Sequence, residues 1–397
     1  MATLGDTTRN TRRFVIGFGA FVILAVIINT CAGILSCNSL GGRLFGCTPP
    51  GLVPVSKEDR LFGDLPLINI PSLTLAPTAT PVFSLETQTG KLPTDLPLFS
   101  YVYKYKEPRQ TLTSRDEAIS QASSLGFTSD PVELNSTELK WLSPGNKSLT
   151  LDKISKSVLL ESDFTKNNDA KTVKPFTSYQ STYESTALSY GLSTGAFNTN
   201  FNSAKTTSNY LIYDDNYQLK KSKSPDTTEV VLVNFYKKFQ LDPNTVVTTT
   251  NSNQVDPEKL TEVLGINPKI ADTRIIMGTN TSTIYYMSSK NWYVEPASRG
   301  VYSTISVSGA WDTVQSGKGS LVYIKKLDND YIDPEYSPLD VANFYVIDIS
   351  MKFYESLNFQ NYLIPIYVFT GNARLKDGSN AEFVIYTPAV IMKDTSK

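Results

Sequence analysis

FVIGFGAFVILAVIINTCAGIL, residues Phe14 to Leu35, contains no charged side chain. Coiled as a helix, it reaches about 33 Å, enough to cross a hydrocarbon core of about 30 Å. A helix in lipid satisfies its own backbone hydrogen bonds, so Gly17, Gly19 and Gly33 are tolerated within it. A buried core helix would carry one polar face, and none occurs between Phe14 and Ile28. Arg9, Arg12 and Arg13 precede the run, and only Arg43 follows closely. That asymmetry keeps the N-terminus in the cytoplasm and sends residues from about 37 outward. The stretch predicts a single N-terminal transmembrane helix in the cytoplasmic membrane, with the lipid bilayer as first partner.

Two export readings compete. A cleaved signal peptide has an apolar core of about 7–15 residues, shorter than this one. Ile34-Leu35-Ser36-Cys37 fits a bacterial lipobox, which makes Cys37 a candidate for lipidation. In an oxidising compartment Cys37 and Cys47 can instead close a small disulfide loop. The sequence leaves helix and lipid open as anchors.

Composition removes several function classes. The 397 residues carry a formal net charge of −1, which lacks the electrostatic footprint of a nucleic-acid binder. There is no His, so Ser-His-Asp and Cys-His sites and imidazole metal ligands are excluded. The three Cys, at 31, 37 and 47, lie in or beside the apolar span, which leaves no thiol for the folded region. Charged residues make up 19%, below the roughly 25% of an average soluble chain, and Ser, Thr, Asn and Tyr take their place.

Beyond the tail and anchor (1–36), residues 37–97 read as a Pro-rich spacer, because such Pro density blocks helices and favours extended chain. A first α+β domain spans 98–165. FSYVYKY (99–105) alternates like a strand. TSRDEAISQASSLGF (113–127) reads as a short helix, with Ser114 and Glu117 at capping-box spacing and Gly126 at the left-handed stop. PVEL, TELKWL, KSLTLDK and SVLLES follow as strands. Ser114, Glu117, Ala118 and Ala122 form a Ser-x-x-Glu-Ala-x-x-x-Ala helix ahead of a small antiparallel sheet. In this respect residues 99–163 resemble the PepSY-type domains of bacterial extracytoplasmic proteins. The resemblance implies a regulatory or protein-binding module rather than an enzyme.

A second α+β unit is expected over 166–245, with a helix at 177–192 and strands at 209–214 and 228–241. Residues 246–397 read as a β-rich C-terminal domain. It opens on a helix, VDPEKLTEVLGI (255–266), with Pro257 in the first turn. Strands follow, GVYSTISVSGAW (300–311) among them, and a hairpin of NYLIPIYVFTGNARL (361–375) and AEFVIYTPAVI (381–391) turns at Asp377-Gly378. Pro365 places the first of these at an edge or bulge. SPLDVANFYVIDISMKFYESL (337–357) stays open between helix and strand.

No catalytic or cofactor motif emerges. Asp328, Asp330 and Asp333 are spaced like calcium ligands, but the run lacks the Gly of an EF-hand turn and reads as a solvated acidic turn. Ser316-Gly317-Lys318-Gly319-Ser320 lacks phosphate-loop spacing and reads as a hairpin turn. Trp141, Trp292, Trp311 and the 22 Tyr suit either a sugar- or peptide-binding platform or, more commonly, cross-strand core pairs. The sequence therefore predicts an α+β, mostly antiparallel chain: one transmembrane helix, then two or three small sheet-plus-helix domains. Its expected role is a bacterial envelope module that binds another envelope protein or regulates one. A surface-layer or adhesion component, and an anchored carboxylate-dependent hydrolase of cell-wall polymer, are the alternatives.

Overall fold

The computed structural model describes residues 58–143, 146–163, 179–241 and 260–393. Phe14–Leu35, Cys37 and Cys47 lie outside them. Among the described residues no helix is long and apolar enough to cross a membrane. Residues 57–397 form one unit by internal contacts.

The expectation of small sheet-plus-helix domains is overturned. The chain is mostly β, and its strands sort into two nine-stranded sheets that draw on distant segments. One sheet holds β3 (Val132–Glu133), β4 (Glu138–Ser143), β5 (Lys147–Asp152), β6 (Val158–Ser162), β7 (Lys205–Tyr213), β8 (Leu219–Lys221), β9 (Val230–Tyr236), β12 (Thr273–Gly278) and β13 (Ile284–Ser289). Its order is β3-β4-β5-β6-β13-β12-β9-β7-β8, every pairing antiparallel. Strands from all three stretches 98–165, 166–245 and 246–397 thus share one sheet. Alternation along β9 sorts its side chains: Val231, Val233 and Phe235 enter one core, Val230 and Leu232 the other. Helices α1 (Ser114–Ser124) and α2 (Gln180–Ser193) cover the first of these faces through Ala118, Ala122, Tyr183 and Ala187. Thr113, not Ser114, flanks the start of α1, and its hydroxyl donates to Glu117 Oε1 at 2.6 Å.

The other sheet is built on one long ribbon. The undecided stretch at 337–357 is β16 (Val341–Tyr354), fourteen residues, paired along its length with β17 (Tyr362–Leu375). Its β-branched and aromatic residues pack on a pleated surface better than around a helix. At one end the ribbon is flanked by β1 (Val82–Leu85), parallel to β16, and by β18 (Asn380–Pro388) with β15 (Ser320–Lys326). At the other end lie β11 (Leu260–Leu264) with β10 (Lys238–Gln240), and β2 (Phe99–Tyr105) with β14 (Val294–Ser303). Pro365 is at neither an edge nor a bulge. It sits where β17 leaves β2 at Leu363 and joins β18 at Ile366, between two ladders.

Four local readings change with this topology. Residues 260–264, expected in a helix, are β11, because Val263 and Leu264 pair with Phe353 and Tyr354. The strand expected over 300–311 stops at Ser303, and helix α3 (Val307–Gln315) follows, capped by the Ser306 hydroxyl on Gly309 N–H. Ser316–Ser320 is therefore a helix-to-strand turn, with Gly317 at φ +71°. The Pro-rich stretch packs onto the ribbon sheet from Leu65 onward: Leu65 is buried, Leu73 N–H donates to Leu321 O at 2.7 Å, and β1 joins β16.

The chain passes from the helix-backed sheet to the ribbon sheet at Lys237, between β9 and β10, and again through 290–293, between β13 and β14. Lys237 and Glu355 meet there, with only 4% and 6% of their side chains exposed. Lys237 Nζ donates to both Glu355 oxygens, at 3.0 and 3.2 Å, and to Trp292 O at 3.3 Å. The Tyr105 hydroxyl donates to Glu355 Oε1 at 2.7 Å. Burial pulls the Lys237 ammonium below its usual range, and the facing carboxylate opposes that shift. Removing one partner leaves the other charged and buried. Lys237→Met should therefore cost about 3–5 kcal/mol. Lys237→Met combined with Glu355→Leu and Tyr105→Phe should recover part of that loss in urea unfolding. A triple variant no more stable than the single one refutes this account.

Candidate functional site

The second face of the helix-backed sheet carries a small core of Leu211, Tyr213, Val230, Leu232, Ile276 and Tyr285, and among the described residues no helix packs on it as α1 and α2 do on the first. A cavity of about 300 Å³ lies above it. The sequence feature that builds its first wall is NYLIYDDNYQ (209–218), with three tyrosines in ten residues. Tyr213 closes β7, and the turn to β8 then runs through Asp214. Asp214 Oδ1 accepts from the backbone N–H groups of Asn216 and Gln218 at 2.9 and 2.8 Å. This holds Tyr217 at φ +60°, a left-handed conformation that costs a residue with a Cβ about 1–3 kcal/mol. Such strain persists where surrounding bonds over-determine it. Here Tyr217 N–H donates to Asp214 O, and Asp214 N–H to Gln218 O.

The second wall is the acidic run expected to be a solvated turn or calcium loop. Residues 330–332 lie along β8: Lys221 N–H donates to Asp330 O at 2.9 Å, and Ile332 N–H to Leu219 O at 3.0 Å. Lys220 and Tyr331 form an antiparallel bridge. The Tyr331 hydroxyl donates to Asp214 Oδ2 at 2.7 Å, so each wall braces the other. Of the three calcium candidates, Asp333 lines the cavity and Asp330 uses its backbone carbonyl on β8. Among the described residues no three acidic or other metal-ligating side chains come together.

The third wall comes from β12 and β13. The Arg274 guanidinium lies over the Tyr286 ring, 5.1 Å from its centroid. It donates to the Tyr286 hydroxyl at 3.2 Å and to Ala271 O at 3.1 Å. Leu219, Leu232, Ile276 and Ile332 line the apolar floor. Tyr213, Tyr217, Tyr286 and Tyr331 thus surround a mostly apolar cavity, with Gln218, Arg274 and Asp333 as its polar groups. An apolar hollow with a few converging polar groups is the form of a small-molecule site.

The Lys237 cluster offers richer acid-base chemistry but no room for a ligand. Lys290 Nζ reaches Asp272 Oδ2 at 2.6 Å beside it, yet the cavity there is about 20 Å³, space for about one water. Elsewhere among the described residues the carboxylates whose pKa moves, Glu58, Glu117, Glu262 and Asp377 among them, all move down. A glycosidase-type general acid needs the opposite shift. The tryptophans form no platform: Trp141 is buried under α1 and α2, Trp292 packs against Tyr105 and Phe359, and Trp311 stacks on Phe369.

Sequence reasoning weighed the tyrosines as a group and missed Tyr213, Tyr217, Arg274, Tyr286 and Tyr331 as a constellation. The local tyrosine density at 210–217, and Tyr-Tyr at 285–286, were the available signals.

No family model matches the chain, and no curated protein matches it. Among solved structures, it is similar to an uncharacterized protein from Eubacterium rectale ATCC 33656. The two are 10% identical, with a TM-score of 0.34 over 79% of this chain and 90% of that one.

Asp214 makes the site acid-sensitive. The Tyr331 hydroxyl, then the Gln218 N–H, hold its carboxyl below the usual range. A depressed folded pKa contributes stability above the unfolded value, about 3.9, and that stability is lost as pH falls through the folded value. Opening of 329–333, read from amide exchange corrected for the intrinsic rate at each pH, should therefore accelerate as pH drops below about 4. Tyr331→Phe should accelerate it already at neutral pH and flatten the acid response. An unchanged pH profile in that variant contradicts the bracing role.

Proposed function

We propose that the chain is a non-catalytic binding module of the cell envelope, held in the membrane by Phe14–Leu35 and taking its ligand in the aromatic pocket of the helix-backed sheet. The observation that carries this reading is the pocket itself. Its walls are fixed by the Tyr331–Asp214 brace and by a strained Tyr217, which favours a preformed site over a collapsing one. The chemistry of the chain agrees. With no His anywhere and no Cys beyond position 47, activated nucleophiles of the Ser-His or Cys-His kind are absent. The pocket sets a guanidinium and a carboxylate among tyrosines, without a pair of facing acids.

The anchor and the pocket are tested together. The full chain should sediment with membranes and resist alkaline extraction, and protease added outside intact cells should cut beyond residue 57. In detergent micelles, solubilised envelope material should slow amide exchange at 211–219 and 329–333. Recovery in the soluble fraction, or protection confined to other strands, overturns the reading.

A further inference from the structure

The pocket selects for one class of ligand. Its lining carries one guanidinium, Arg274, and one carboxylate, Asp333, so the two formal charges cancel. An anionic ligand would meet Asp333, and a cation would meet Arg274, so complementarity favours a neutral occupant. A purely apolar ligand, such as an acyl chain, would strip water from Gln218, Arg274 and Asp333 without replacing their hydrogen bonds. The occupant must therefore have apolar faces for the tyrosine rings and an edge that both donates and accepts. Arg274 can only donate, the Asp333 carboxyl oxygens accept, and the Gln218 amide does both, which is the pattern that hydroxyl groups satisfy. At about 300 Å³ the cavity lies at the small end of ligand sites, about 300–1,000 Å³, so it suits one ring rather than an extended polymer.

We infer that the aromatic pocket binds an uncharged pyranose, its C–H faces packed on Tyr217 and Tyr286 and its hydroxyl edge met by Gln218, Arg274 and Asp333. The rigid turn at Asp214 then has a purpose. It sets the backbone that carries Tyr217 before the sugar arrives, so little loop-ordering entropy is lost on binding. The inference rests on the proposed binding function and narrows it to a ligand class. A free monosaccharide and the terminal residue of an envelope glycan share this chemistry.

The test uses the full chain in micelles of a detergent without a sugar headgroup. Neutral methyl hexopyranosides, their uronic-acid counterparts and an isolated neutral envelope polysaccharide are titrated in turn by calorimetry and saturation-transfer NMR. At least one neutral methyl glycoside should bind, and its uronic acid should bind more weakly. If the polysaccharide binds tenfold or more tightly than every free glycoside, the source is a glycan terminus; if not, it is the free sugar. Tyr286→Ala and Gln218→Ala should each weaken binding about tenfold or more. Gln218 is exposed, so that variant remains informative where Tyr286→Ala loses its fold. Tyr179→Ala, at a remote tyrosine that is 84% exposed, should bind as the parent does. Binding untouched by both pocket variants overturns the inference. So does the absence of neutral-glycoside and polysaccharide binding while envelope material still protects 211–219, which leaves the wider binding function standing. Protection by neither overturns both.

Discussion

The ion pair between Lys237 and Glu355 is the point through which the two sheets share one chain. Taking an ammonium and a carboxylate out of water is costly, and their attraction repays the cost only in good geometry with the remaining hydrogen bonds met. Here Trp292 O and the Tyr105 hydroxyl meet them. Each contributor comes from a different element at the crossover: Lys237 between β9 and β10, Glu355 just after β16, Tyr105 at the end of β2, and Trp292 between β13 and β14. Any slip of one strand would leave a charge buried alone. The pair therefore acts as a registration device more than a source of stability. The sheets have apolar cores of their own, and it is their relative pairing that an uncompensated charge would forbid.

Both helices of the helix-backed sheet, α1 and α2, lie on one of its faces. The other face keeps Leu211, Val230, Leu232 and Ile276, which need cover. The chain supplies it with residues 330–332, laid along β8 by backbone hydrogen bonds from Lys221 and Ile332. This arm is too narrow to close the face, and the remaining gap is the tyrosine-lined cavity. The pocket is thus a consequence of topology, and the tyrosines suit it because each has an apolar body and a polar tip.

Much of the local structure was legible in the sequence. The capped, Ala-striped pattern at 113–127 gave α1, Gly126 takes the left-handed conformation at φ +89° as its position required, and Asp377-Gly378 marks the β17–β18 turn. The architecture was harder to read, for a physical reason. Period-2 alternation says that a segment is a strand but not which segment it pairs with, and β13 pairs with β6 across more than a hundred residues. Short helices next to strands therefore suggested several small α+β domains, where long-range pairing makes two large sheets. Residues 260–264 had helical spacing behind a first-turn proline, yet two ladder contacts with Phe353 and Tyr354 prevail over that weak preference. The pocket was illegible for the same reason: its walls come from positions near 215, 274, 286 and 331, and only pairing brings them together.

The two polar clusters on this unit show how solvent access, more than residue type, divides structure from function. Both combine a cation, a carboxylate and a tyrosine hydroxyl. Around Lys237 every group faces another protein group, and the space left is about 20 Å³. A ligand there would have to break the pair before it gained anything, so the cluster can only hold the fold. Around Arg274 the same ingredients are set further apart. Tyr331 braces Asp214 behind the wall, Arg274 spends some of its donors on Ala271 and Tyr286, and Gln218 and Asp333 stay exposed. Those groups remain hydrated until a ligand with matching hydroxyls exchanges for the water at little net cost. The same kinds of group, with about 300 Å³ of room around them, form the hollow in which we propose a ligand is bound.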